Sequence, residues 1–270
     1  MITRSRKFAF GEIPLEIAEI IFGYLSPKDI KRGVLVCRIW RDILSKRKLW
    51  NWAKVKLGYR NMKKIVRSPR FQLVGRVDLD IEREDPNYLI GNDKTLASVF
   101  STFSSNPEIC KGKQMRFFFE DFPQEHIRNI KPEDLADVVP ELIYAYVRGA
   151  ELFSRHQRNL IFDRVANSEA LQLFRFKYIA KSMFNDSDIL TVARAVCRIC
   201  IVDLVVKFTK EELFTLLTFI AEASDISLRI LRLHFYNSDQ FFYLKSDQKW
   251  RELLAKVKGK PVDFVLCGLC

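Results

Sequence analysis

The sequence predicts an α/β chain in which a short three-helix module precedes a solenoid of parallel strands alternating with helices. Three observations predict it. First, the apolar pattern L-x-x-L-x-L recurs at Val74/Val77/Leu79, Gln114/Phe117/Phe119, Leu142/Ala145/Val147, Leu171/Phe174/Phe176, Ile201/Leu204/Val206, Leu228/Leu231/Leu233 and Val262/Val265/Cys267. The first positions of the last six are 28, 29, 30, 27 and 34 residues apart, and periods of about 20 to 50 residues mark stacked arrays. Second, helix start signals fall between the strands. Third, the basic excess lies at one end: residues 1–70 carry 18 Lys/Arg against 5 Asp/Glu, while the remainder carries 27 against 28.

The N-terminal module comes first. Apolar residues at Ile13, Ile17, Ile20, Ile21, Tyr24 and Leu25 follow the spacing of an amphipathic helix, and Pro14 suits its first turn. Ser26-Pro27-Lys28-Asp29 restarts a helix, with Ser26 as cap, Pro27 at the first helical position and Asp29 at the positive end. A third helix is expected through Val36–Arg41. Ile17, Ile21, Leu25, Val36 and Trp40 are expected to pack together. Three short helices bury too little apolar surface alone, so part of what they show should be covered by a partner.

These residues resemble an F-box: Ile13-Pro14, Glu16, Ile21-Phe22, Leu25, Asp29, Val36-Cys37-Arg38, Trp40 and Leu49-Trp50 fall in the order of that pattern. Ile13 stands where Leu is usual, a nearly volume-conserving change. Gly33, inside the second helix, costs about 1 kcal/mol relative to Ala. The resemblance implies docking onto the Skp adaptor, an acidic protein, and through it onto a cullin in a ubiquitin ligase. The adaptor-binding candidates are Ile13, Pro14, Leu15, Glu16, Ile20, Leu25, Val36 and Trp40. The basic excess would speed encounter with an acidic partner.

Domain boundaries follow: a basic tail at 1–10, the F-box at 11–57, a basic connector at 58–71 and the solenoid at 72–270. Pro69 marks the exit from the connector. Beyond it, Asn92, Pro132, Ser154, Ser187, Thr209 and Ser246 each precede or open an apolar-periodic run, and Thr209–Glu212 forms a capping box. A unit of one apolar strand and one apolar helix face is buried only against its neighbour. With hydrophobic residues at 48% and aromatics at 13%, the 270-residue chain can fill such a core.

The solenoid resembles leucine-rich repeats, the partner domain of one F-box subclass. The Asn or Cys that usually follows the strand core is mostly missing: Glu82, Phe122, Ala150, Ile179, Thr209, Tyr236 and Cys270 take its place. The long interval from Val74 to Gln114 implies an irregular first unit.

Residues between the apolar positions alternate to the other side of each strand, which in a repeat solenoid is the concave face. There the sequence places Tyr144, Tyr146, Arg148, Arg175, Lys177, Lys207, Arg232 and His234 as substrate-binding candidates. Arg148, Lys177, Lys207 and His234 form a column at about 4.8 Å spacing, suited to an acidic or phosphorylated segment of an unknown protein substrate.

Other motifs lead elsewhere or nowhere. Cys197-x-x-Cys200 and Cys267-x-x-Cys270 resemble a four-thiolate zinc set, but the repeat count sets them two units apart. Cys267–Cys270 formally fits a prenylation signal, with a poor second residue and an unusual last one. His126, His156 and His234 accompany no nucleophile motif, Gly-rich phosphate loop or carboxylate pair. The expectation is a non-enzymatic adaptor without cofactor or metal. It should not enter a membrane and should act in the cytoplasm or nucleus. The alternative is a scaffolding F-box protein that binds the Skp adaptor without directing ubiquitination. Nucleic-acid binding through the basic run 54–70 is not expected.

Overall fold

The computed structural model describes residues 13–25, 27–45, 54–57, 62–79, 94–178, 186–206, 208–235 and 247–268. Three helices lead: α1 (Leu15–Gly23), α2 (Pro27–Gly33) and α3 (Arg38–Leu44). Strands and helices then alternate through β1 (Lys54–Leu57), α4 (Met62–Val66), β2 (Arg76–Leu79), α5 (Lys94–Ser105) and β3 (Gln114–Phe118). Next come α6 (Gln124–Arg128), α7 (Pro132–Val138), β4 (Tyr144–Arg148), α8 (Arg155–Ala166), β5 (Leu173–Tyr178) and α9 (Asp186–Arg198). The chain closes with β6 (Ile201–Val206), α10 (Lys210–Glu222), β7 (Ile230–Phe235), α11 (Gln248–Lys258) and β8 (Asp263–Gly268).

Among the described residues the eight strands form one sheet in sequence order, every neighbour parallel. Parallel neighbours need a crossover connection. From α4 to α11 each principal helix packs on the next, so the helices share one face of the sheet and, among the described residues, leave the other bare. This is the stacked architecture of a repeat solenoid.

The strands alternate because one face meets the helices. Met115, Ala145, Phe174, Val202 and Leu231 stand in register on the covered face, followed by Phe117, Val147, Phe176, Leu204 and Leu233. All ten are 1% exposed or less. Aromatic side chains fill the space beneath: Phe100 lies 5.8 Å from Phe117, Phe162 4.9 Å from Phe176, and Phe119 meets Phe153 edge-on at 4.7 Å. Each such ring stabilises the fold by roughly 1.5–3 kcal/mol when fully buried.

The register corrects several sequence expectations. The sheet begins at Lys54, within the stretch taken as the end of the F-box, rather than at residue 72. In β3 and β6 the residues aligned with the two core columns are Met115/Phe117 and Val202/Leu204, two residues earlier than expected, although the expected Phe119 and Val206 are buried as well. Side chains alternate with period two, so that slip preserves the face. In β8 the slip is a single residue. Phe264 and Leu266 pair with the core column, whereas Val265 and Cys267 pair with Arg232 and His234.

Caps hold the helices where expected at two places. Ser154 and Gln157 bond reciprocally to each other's backbone N–H at α8, as do Thr209 and Glu212 at α10. Pro132 opens α7. Ser187 lies inside α9, which begins one residue earlier, and Asp247 rather than Ser246 caps α11. Asn92, Ser246 and Ser26 lie outside the described residues.

Candidate functional site

Two surfaces stand out. The first is on the leading helices. Ala18 and Phe22 from α1, Ile30 from α2 and Val34 just after it, and Ile43 and Leu44 from α3 form their buried side. Phe22 meets Trp40 edge-on, with ring centroids 4.9 Å apart at 65°. Gly33 is there for space: a Cβ on it would sit 2.5 Å from Leu44 Cδ1 and 3.4 Å from the Trp40 ring. The glycine that costs helix propensity therefore lets α2 and α3 close on each other.

The opposite side is apolar too. Among the described residues nine large hydrophobic side chains are substantially exposed, and seven belong to this module: Ile17, Ile20, Ile21, Tyr24, Leu35, Val36 and Ile39. Ile20 is 58% exposed, Tyr24 87%, Leu35 78% and Val36 62%. The α1 members are spaced to lie on one stripe. Concentrated exposure of this kind marks an interaction surface, unlike scattered single residues. Ile17, Ile21 and Val36 thus do not pack together as expected. Leu25 and Trp40 do lean on the core, half-buried.

The expected adaptor-binding residues divide accordingly. Pro14, Glu16, Ile20 and Val36 are on the surface, and Ile13, Leu25 and Trp40 pack against the core. Leu15 opens α1. Tyr24, Leu35 and Ile39, exposed beside them, were not among the candidates. Cys37 caps α3, its Sγ accepting from the Trp40 N–H at 3.5 Å, while remaining exposed.

The second surface is the bare face of the sheet, where three rows run across the strands. Tyr144, Leu173, Ile201 and Ile230 form the first; Arg116, Tyr146, Arg175, Asp203 and Arg232 the second; Phe118, Arg148, Lys177, Val205 and His234 the third. The expected basic column is therefore interrupted. Val205 holds the place assigned to Lys207, which lies outside the described residues.

Most of the charge here is paired. Arg116 grips Asp78 with two hydrogen bonds of 2.8 and 2.5 Å, and Arg148 pairs with Glu120. Asp203, buried, has Arg175 Nε at 3.2 Å and His234 Nε2 at 2.8 Å. Both nitrogens approach off-axis, without an aligned hydrogen bond. The Arg175 guanidinium also lies over the Tyr146 ring at 4.9 Å. Burial raises the Tyr144 hydroxyl pKa, with Arg175 and Arg116 opposing it, so the phenol stays protonated and able to donate. Lys177 and Arg232 have no carboxylate partner among the described residues.

A cleft of about 450 Å³ opens at the entry ends of β4–β7. Tyr144, Leu173, Ile201 and Ile143 give it apolar walls, and Arg175, Asp203 and Arg232 stand along one side. Among the described residues no cluster of three or more His, Cys, Asp or Glu could hold a metal ion, and no helix is long and apolar enough to cross a membrane.

A family model described as F-box-like matches residues 10–53, ending one residue before β1 begins. No curated protein matches the chain.

Proposed function

We propose that the chain is a substrate-receptor subunit of a Skp–cullin–F-box ubiquitin ligase. Its leading helices bind the Skp adaptor, and its sheet holds a target protein. The observation that carries this reading is the exposed apolar stripe Ile17, Ile20, Ile21 and Tyr24, with Leu35, Val36 and Ile39, inside the residues matched to the F-box-like family. A face of that kind costs solubility unless a partner covers it.

The sheet supports the second half of the reading. Among the described residues helices cover only one of its faces, and the bare face presents aromatic and guanidinium groups together, residue types enriched at interfaces. The chain contributes proximity rather than bond chemistry, holding a target lysine near a conjugating enzyme. Its setting is the cytoplasm or nucleus, and Cys37, Cys110, Cys197 and Cys200 are free thiols, in keeping with a reducing compartment.

Mixing the full chain with purified Skp adaptor tests the first half. Coelution in size-exclusion chromatography is expected, together with loss of the complex on Ile20→Glu while the circular-dichroism melt stays unchanged. A wild-type chain that elutes alone overturns the proposal.

A further inference from the structure

We propose that the cleft on the bare sheet face takes an unphosphorylated peptide segment carrying a bulky apolar side chain followed closely by one Asp or Glu. This deepens the reading of the sheet as a target-binding surface and rests on it.

The cleft has two unlike parts. Tyr144, Leu173 and Ile201 are neighbours on β4, β5 and β6, half-buried and in register, so they form a continuous apolar floor. At about 450 Å³ the space holds one large side chain with its backbone. Ile143, 37% exposed at its lip, widens the apolar contact. Covering this floor is what a leucine or phenylalanine side chain would do.

The polar side then sets what must accompany that side chain. Arg175 is occupied by Asp203 and stacked on Tyr146. Arg232 is exposed, one strand over from Asp203, and has no carboxylate partner among the described residues. A guanidinium's forked donors fit a carboxylate two-pronged. Tyr144, kept protonated, adds a hydroxyl donor at the floor's edge.

Charge balance selects a carboxylate over a phosphate. The lining carries two guanidiniums and one buried carboxylate, Asp203, a surplus of one positive charge. A phosphoryl group near −2 would exceed that surplus and face Asp203, whereas a single carboxylate matches it. The basic column that would have favoured a phosphate is interrupted by Val205 and partly neutralised by Glu120.

The test uses the full chain, with and without Skp adaptor, and an array of nine-residue peptides. Each has Leu, Phe or Ala at the centre and Asp, Glu, Asn or phosphoserine one or two places on. Selective retention of Leu/Phe peptides followed by Asp or Glu is expected. Arg232→Glu should weaken them about tenfold or more, and Lys in place of the peptide's acid should restore binding to that variant. Equal or stronger retention of phosphoserine peptides overturns the proposal, as does retention indifferent to Arg232→Glu or no selection at all. Adaptor binding, read separately on the same sample, reports on the ligase-subunit reading, so either can fail alone.

Discussion

The rings of Phe22 and Trp40 meet edge-to-face at 4.9 Å, joining α1 to α3 on the side of the module that faces its own core. Trp40 therefore belongs with the support of the docking surface, while Ile20 and Tyr24 belong to the surface itself. Trp40→Ala should lower the stability of the module by about 3 kcal/mol and lose adaptor binding through unfolding. Tyr24→Ala should lose binding at unchanged stability. Thermal melts paired with adaptor titrations separate the two; a Trp40→Ala chain that melts like the wild type would place Trp40 at the interface.

That division was only half legible in the sequence. Helical periodicity finds an apolar stripe, but α1 is apolar on both sides: Ala18 and Phe22 on one, Ile17, Ile20, Ile21 and Tyr24 on the other. Periodicity alone cannot say which stripe packs inward. The sheet shows the same limit. β4, β5 and β7 were placed correctly, because their apolar triplets have one registration. β8 offers two, since Val262/Val265/Cys267 and Phe264/Leu266 are both apolar, and the single-residue slip reversed its face. In β1, Lys54-Val55-Lys56-Leu57 alternates as a strand should, but at four residues it falls inside the stretch assigned to the end of the F-box.

Lys113 is nearly fully buried, and its ammonium donates to the carbonyls of Phe71, Gln72 and Val74 at 3.0, 2.9 and 2.5 Å. It pins the turn before β2 to the entry of β3. Lys113→Met keeps most of the volume but removes the ammonium from three carbonyls, of which, among the described residues, Phe71's alone keeps a backbone donor, the Val74 N–H. A loss of about 2–4 kcal/mol is expected in urea unfolding. A loss below about 1 kcal/mol would mean that water replaces the ammonium.

Gly149 has φ of 82°, and a Cβ there would run into the backbone of Glu120. Both the left-handed backbone and the close approach demand glycine. The neighbouring Arg148–Glu120 pair bridges the same two turns. Gly149→Ala should cost at least about 1–2 kcal/mol, clearly more than Ser154→Ala at the α8 cap, about 1 kcal/mol. Reversal of that order in denaturant titrations would show that the turn relaxes freely.

The thiols offer a footprint of the adaptor surface. Burial pushes Cys110 up to about 12 and Cys197 to about 11, so at pH 8 almost no thiolate forms and neither site is open to reagent. Their pKa values rise on folding, so this contribution to stability is full below the unfolded value of about 9 and fades as pH climbs past it. Cys37 is exposed at the start of α3, between Val36 and Ile39 of the docking face. Alkylation with iodoacetamide at pH 8, read by peptide mass spectrometry, should therefore label Cys37 well ahead of Cys110 and Cys197. Saturating Skp adaptor should then slow Cys37 labelling about tenfold or more while leaving the buried pair unchanged, because an interface excludes reagent only where it covers. Labelling of Cys37 at an undiminished rate in a verified complex would move the adaptor contact away from the Leu35–Ile39 segment and confine it to α1.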